Sequence, residues 1–158
     1  MYPQIVRQLL LIMHLSGLVL MVGTTVASFV TFRAFKKRFD IKSESATGLL
    51  QLLSNLDAIK GIGGFALILS GLGLTYITGW VFLHMLWLQL KLSLALLLPV
   101  NEILLGKKQL KKLKNAFFEN TPDSSAVVKM AGSKIAIFYT IQLTLFLGII
   151  ILAVLKLN

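Results

Sequence analysis

The run QLLLIMHLSGLVLMVGTTVASFVTF, from Gln8 to Phe32, decides the fold: it holds 25 residues with no acid and no base, and His14 is its single titratable group. At a helical rise of 1.5 Å per residue it reaches about 37 Å, enough to cross a hydrocarbon core about 30 Å thick. Apolar and polar residues do not alternate along it, and only helices or closed barrels satisfy their backbone in lipid. The run therefore reads as a membrane-spanning helix. A secretory leader is the competing reading, because Arg7 precedes the run and Ala27 lies among small residues. An apolar length of about 24 residues exceeds the roughly 7–15 of a leader's apolar region, so the segment is kept as the first span.

Three further stretches qualify on the same grounds. The expected architecture is an all-α, integral membrane four-helix transmembrane bundle in one domain over residues 1–158, with helices at about 8–32, 60–76, 80–105 and 135–155. Between the first two spans, residues 43–59 mix Leu49, Leu50, Leu52, Leu53 and Leu56 with Gln51, Ser54, Asn55 and Asp57. That amphipathic pattern fits an interfacial helix or an extension of the second span, with Gly61, Gly63 and Gly64 as a natural bend. After the third span comes a Lys-rich amphipathic turn, then a loop at residues 120–125 punctuated by Pro122.

Composition agrees with a membrane protein. Of 158 residues 56% are hydrophobic and 14% charged, against about 25% charged in soluble domains. The 16 Lys and Arg face 6 Asp and Glu, for a net charge of +10. Twelve of the sixteen basic residues fall in two connections: Arg33, Lys36, Lys37, Arg38 and Lys42 after the first span, and Lys107, Lys108, Lys111, Lys112, Lys114, Lys129 and Lys134 after the third. The connection at residues 75–79 has none. Retention of positive charge on the cytoplasmic side then places both termini extracytoplasmic, in a bacterial inner membrane. The basic segments flank membrane-length apolar runs, so the expected partner is the anionic lipid bilayer rather than nucleic acid. Cysteine is absent, which removes disulfides, thiol catalysis and thiolate-held metals or clusters.

Within the spans, polar groups are few and costly. His14 and His84 are the only histidines, expected at similar depths in the outer leaflet on two different helices. His14, Gly17, Met21, Thr25 and Ser28 recur at intervals of three or four and form one small, polar stripe that should face the bundle. Trp80, His84, Trp87 and Lys91 are spaced in the same way along the third span. Lys91, counted as about eleven residues into that span, sits near the midplane with no acid at its depth, so a ligand anion is its expected partner. Small residues on one wall and aromatic ones on another leave room for a flat ligand, with Gly64, Ser70, Gly71 and Gly73 contributing space on the second span. Asp57 and Glu102 are expected to reach solvent or to pair with Lys60 and nearby lysines.

The segment HLSGLVLMVG, His14 to Gly23, resembles the first-helix pattern of the superfamily that includes HemJ-type protoporphyrinogen oxidases and CopD-type membrane proteins. The segment GWVFLHMLWLQLKLSLALLL, Gly79 to Leu98, is similar to that superfamily's later Trp-Leu-x-x-Lys-Leu-x-Leu helix, matched at Trp87, Leu88, Lys91, Leu92 and Leu94. The resemblance covers about the first 105 residues. It departs at Ser28 to Arg33, where the HemJ branch has Tyr-Leu-Pro-Arg-Leu, and at Gln89, where a histidine is often found. It implies haem b and, in the HemJ branch, oxidation of protoporphyrinogen, with His14 and Lys91 as the positions carried over.

The leading expectation is thus a haem b protein in electron transfer or redox chemistry. His14 and His84 are its candidate axial metal ligands, and Gly17, Trp87 and Lys91 complete the cofactor site. A porphyrin or a membrane redox partner would be its counterpart, and a homo-oligomer is left open. Two alternatives stand beside it: a copper-handling protein using His14 with the Met21 thioether, and a non-catalytic membrane subunit whose polar groups serve packing.

Overall fold

The computed structural model describes residues 2–38, 44–119 and 124–155. Lys42, Lys156 and the loop around Pro122 fall outside them. The described residues are helical apart from one short connection, and they contain no strand. The helices are α1 (Tyr2–Arg38), α2 (Glu44–Ile77), α3 (Leu86–Asn101), α4 (Lys108–Glu119) and α5 (Ser124–Leu155), with a π-helical turn (Glu102–Lys107) joining α3 to α4. Four of the resulting rods are long and apolar enough to cross a membrane. The chain is a multi-pass, all-α bundle that meets the lipid bilayer.

These helices outrun the expected spans. α1 has 37 residues, α2 34 and α5 32, so each is about 48–55 Å long against a hydrocarbon core of about 30 Å. The excess of α2 and α5 lies at the end carrying the basic residues, α1 extends by six residues at each end, and the main core is at the basic end. Phe32 and Phe35 of α1, Leu50 and Leu53 of α2, Leu113 and Ala116 of α4, and Ala131, Ile135 and Phe138 of α5 pack into one cluster. Segment 43–59 resolves, from Glu44 on, as the extension of α2, and its leucines at 50 and 53 supply that cluster. The expected bend at Gly61 to Gly64 does not occur. α2 is unbroken through them, with Gly63 in interhelical contact with Gly17 and Gly64 facing Met21.

α5 buries Ala131, Ile135, Phe138, Tyr139, Gln142, Phe146 and Ile149. That spacing of three and four is the seam of a left-handed bundle. α4 buries Gln109, Leu113 and Ala116 while Lys108, Lys111 and Lys112 are exposed. α1 and α2 form the most intimate pair. A Cβ added to Gly17 would lie 2.9 Å from the Gly63 carbonyl oxygen, and one added to Gly63 would lie 3.0 Å from the Gly17 carbonyl oxygen. The two backbones therefore touch, as small residues permit in membranes. A smaller cluster joins α3 and α5 through Leu98, Phe146 and Ile149, with Met21 and Val22 of α1 against it.

The α2–α3 connection departs most from expectation. α2 ends in a Schellman arrangement: Gly79, at φ 64°, donates its N–H to the Tyr76 carbonyl at 3.0 Å, and Trp80 donates to Thr75 at 3.2 Å. Trp80 also has a positive φ, 63°, uncommon for a bulky residue. A 3-10 turn (Val81–His84) follows, and α3 begins only at Leu86. The third span thus starts about six residues later than Trp80, and its polar residues move outward by the same amount.

Candidate functional site

The expected stripe on α1 does face inward. Gly17, Thr25 and Ser28 are buried, and His14 and Met21 are half-buried. His14 lies against α2, where its Nδ1 is 3.0 Å from the Ser70 hydroxyl and its ring touches the Gly71 backbone face. Ser70 Oγ is also 2.6 Å from the Ala66 carbonyl. A hydroxyl has one proton, and a carbonyl can only accept, so Ser70 donates to Ala66 and accepts from His14 Nδ1–H. That bond orients the ring, as outer partners orient a ligating histidine, and the Leu67 backbone carbonyl accepts a further hydrogen bond from the imidazole. Lys91 stands within electrostatic range of this imidazole.

The structure does not bring His84 to them on α3. His84 ends the exposed 3-10 turn, off the helix expected to carry it. Trp80, 49% exposed, is likewise off that helix, so only Trp87 and Lys91 of the expected four share a face on α3. Trp87 is half-buried, with its indole N–H 3.2 Å from Met85 Sδ. Lys91 lies five residues after the start of α3, about 7–8 Å along the axis. That is fewer than the eleven residues counted from the sequence, because the helix starts late.

The glycines expected to cradle a flat ligand are occupied by protein. Gly17 meets the Gly63 backbone, Gly71 meets His14, and a Cβ on Gly73 would meet Leu10 at 3.0 Å. For haem b, the donor chemistry of His14 suits one axial bond. Gly17, Gly71 and Gly73 face protein atoms, and His84 lies on the turn ahead of α3. Met21, the thioether of the copper reading, has its sulfur 3.7 Å from the Cβ position of Gly64. Among the described residues no three His, Cys, Asp or Glu side chains gather as a metal site.

A second polar centre lies toward the basic end. Lys60 Nζ is 2.8 Å from both oxygens of Glu102 and 2.9 Å from Asp57 Oδ1, and it lies 5.5 Å from the centre of the Phe138 ring. The pairing of Asp57 and Glu102 with Lys60, one of two expected outcomes, is the one found. Side-chain exposure is 8% for Lys60, 15% for Glu102 and 32% for Asp57. Ser28 and Tyr139, which are hydrogen-bonded to each other, share a small cavity with these three. Next to Glu102, Asn101 donates to the Phe138 carbonyl at 3.2 Å and to Gln142 Oε1 at 2.8 Å. Sequence reading missed the convergence of α1, α2, α5 and the π-turn here. The signal available was the set of polar residues at 57, 60, 101, 102 and 142 inside otherwise apolar spans.

Compared with family models, curated proteins and solved structures, the chain matches none.

Proposed function

We propose that the chain is a bacterial inner-membrane redox protein with both termini extracytoplasmic, in which His14 is the single axial ligand of haem b and Lys91 pairs with a propionate. The observation that carries this reading is the His14–Ser70 contact, which orients an imidazole inside an apolar span within electrostatic range of the Lys91 ammonium. Bound haem would supply one-electron chemistry. The chain's own part is to orient the imidazole through Ser70, to hold the ring against Gly71, and to place Lys91 for an acidic substituent. His84 is outside this site, since it terminates an exposed turn.

The absorption spectrum of the full chain purified in mild detergent tests the reading. A Soret band is expected, with haem b released by acid extraction. A colourless, porphyrin-free protein made with haem in adequate supply contradicts it. The second reading, a non-catalytic subunit, is supported by the Gly17–Gly63 crossing, where the space opened by small residues is already used for packing. The same colourless preparation is the result it expects.

A further inference from the structure

We propose that Asp57, Lys60 and Glu102 form a proton-exchange site that holds one proton shared between the two carboxylates and trades it with solvent at the basic end of the bundle. The proposal stands apart from the haem reading and needs no redox group.

The first argument is charge. Two carboxylates meet one ammonium, and all three Lys60 contacts are 2.8–2.9 Å, so the triad carries one negative charge in excess if fully ionised. An unbalanced charge between apolar helices costs several kcal/mol, and a proton is the smallest group that removes it. Other charged and titratable groups face the triad. Lys107 stands on the π-turn, Tyr139 comes from α5, and Lys111 and Lys114 come from α4. Lys107 and Lys111 are exposed and Lys114 half-buried, so water and salt screen their charge. Asp57, at 32% exposure, shares that screening in part, while Lys60 and Glu102 are the buried members.

The second argument is access. Asp57 lines two cavities at once: the enclosed one shared with Lys60, Glu102, Ser28 and Tyr139, and an open one of about 220 Å³ lined by Lys107, Lys111 and Lys114. It is also the most exposed of the three. A proton entering from the open side reaches Asp57 first, and Glu102 is bound to the same ammonium. Uptake converts one carboxylate to a carboxylic acid and takes the triad from −1 to neutral. Lys60 stays protonated and paired, and release is the reverse. Because the two carboxylates are coupled, the proton belongs to the pair.

The interior continues past Glu102. Gln142 is fully buried, its Oε1 is held by Asn101, and its Nε2 donates to nothing among the described residues. The Phe138 carbonyl requires Asn101 to present its NH₂, so the Gln142 orientation is forced. Asn101 and Gln142 thus form a second buried polar pair, one residue along the chain from Glu102.

The test is infrared spectroscopy of the full chain in lipid nanodiscs at neutral pH, where the carboxylates outside the membrane are ionised and do not contribute a carboxylic-acid carbonyl band. The wild type should show one such band, shifting promptly in D₂O. Glu102→Gln and Asp57→Asn should each abolish it, since either leaves one carboxylate balanced by Lys60, and Glu102→Asp should retain it. No band in the wild type overturns the shared proton. A band kept in Asp57→Asn, which alters the most exposed member and is therefore the safer variant for folding, shows that Glu102 is protonated on its own account and overturns it too. A band that does not respond to D₂O overturns the exchange route.

Discussion

Ser70 has one hydroxyl proton, and the Ala66 carbonyl takes it, so the His14 imidazole is pinned as a donor at Nδ1. If that bond orients the ring, His14 and Ser70 should be energetically coupled. A double-mutant cycle with His14→Ala and Ser70→Ala is expected to give about 0.5–1.5 kcal/mol, the scale of interhelical hydrogen bonds in membranes. Unfolding in mixed micelles measures it, and strict additivity would show that the contact orients nothing. His14 and its stripe were legible because one helix's periodicity assigns its inward face. Ser70 was legible as a residue of the inward side of α2, but its bond to His14 was not, since the rotation of α2 about its axis depends on a partner helix. Thr25 shows how bland such a residue can be: buried, its hydroxyl is satisfied by the Met21 carbonyl at 2.7 Å within its own helix.

The α1–α2 pair makes a sharper demand at the level of elements. Gly17→Ala places a methyl group 2.9 Å from a backbone oxygen, whereas nothing lies within 4 Å of a Cβ added to Gly23. Gly17→Ala should therefore destabilise by about 1–3 kcal/mol as helices are pushed apart. Gly23→Ala should be neutral or stabilise by up to about 1 kcal/mol through helix propensity. Thermal unfolding of the two variants checks the contrast, and equal effects would disprove backbone contact at Gly17. The existence of four apolar rods was readable from hydropathy, but their ends were not. Val81, Phe82 and Leu83 are as apolar as the helix that follows, so hydropathy cannot separate a 3-10 turn from a span; Gly79, as a helix-terminating glycine, was the local signal. The π-turn at residues 102–107 likewise has no hydropathic signature, although Pro99, within α3 just ahead of it, removes a helix N–H.

Taken whole, the molecule has one end with a true core and exposed lysines, a glycine crossing near the middle of α1 and α2, and the turn that carries the exposed His84 at the other end. The charge asymmetry, twelve basic residues in two connections at one end, predicts that this end is cytoplasmic. Reporter fusions after Lys37 and Lys111 should report cytoplasm, and a fusion after Thr78 the opposite side; periplasmic exposure at Lys37 would invert the assignment. The class of fold was legible because lipid permits so few solutions, whereas the polar centres depend on how four helices converge, which no single span encodes. The central claim, that His14 and not His84 serves a bound haem, is tested most directly by absorption spectra of His14→Ala and His84→Ala beside the wild type. Loss of the Soret band in His14→Ala with retention in His84→Ala is predicted; a band that survives in His14→Ala contradicts the account.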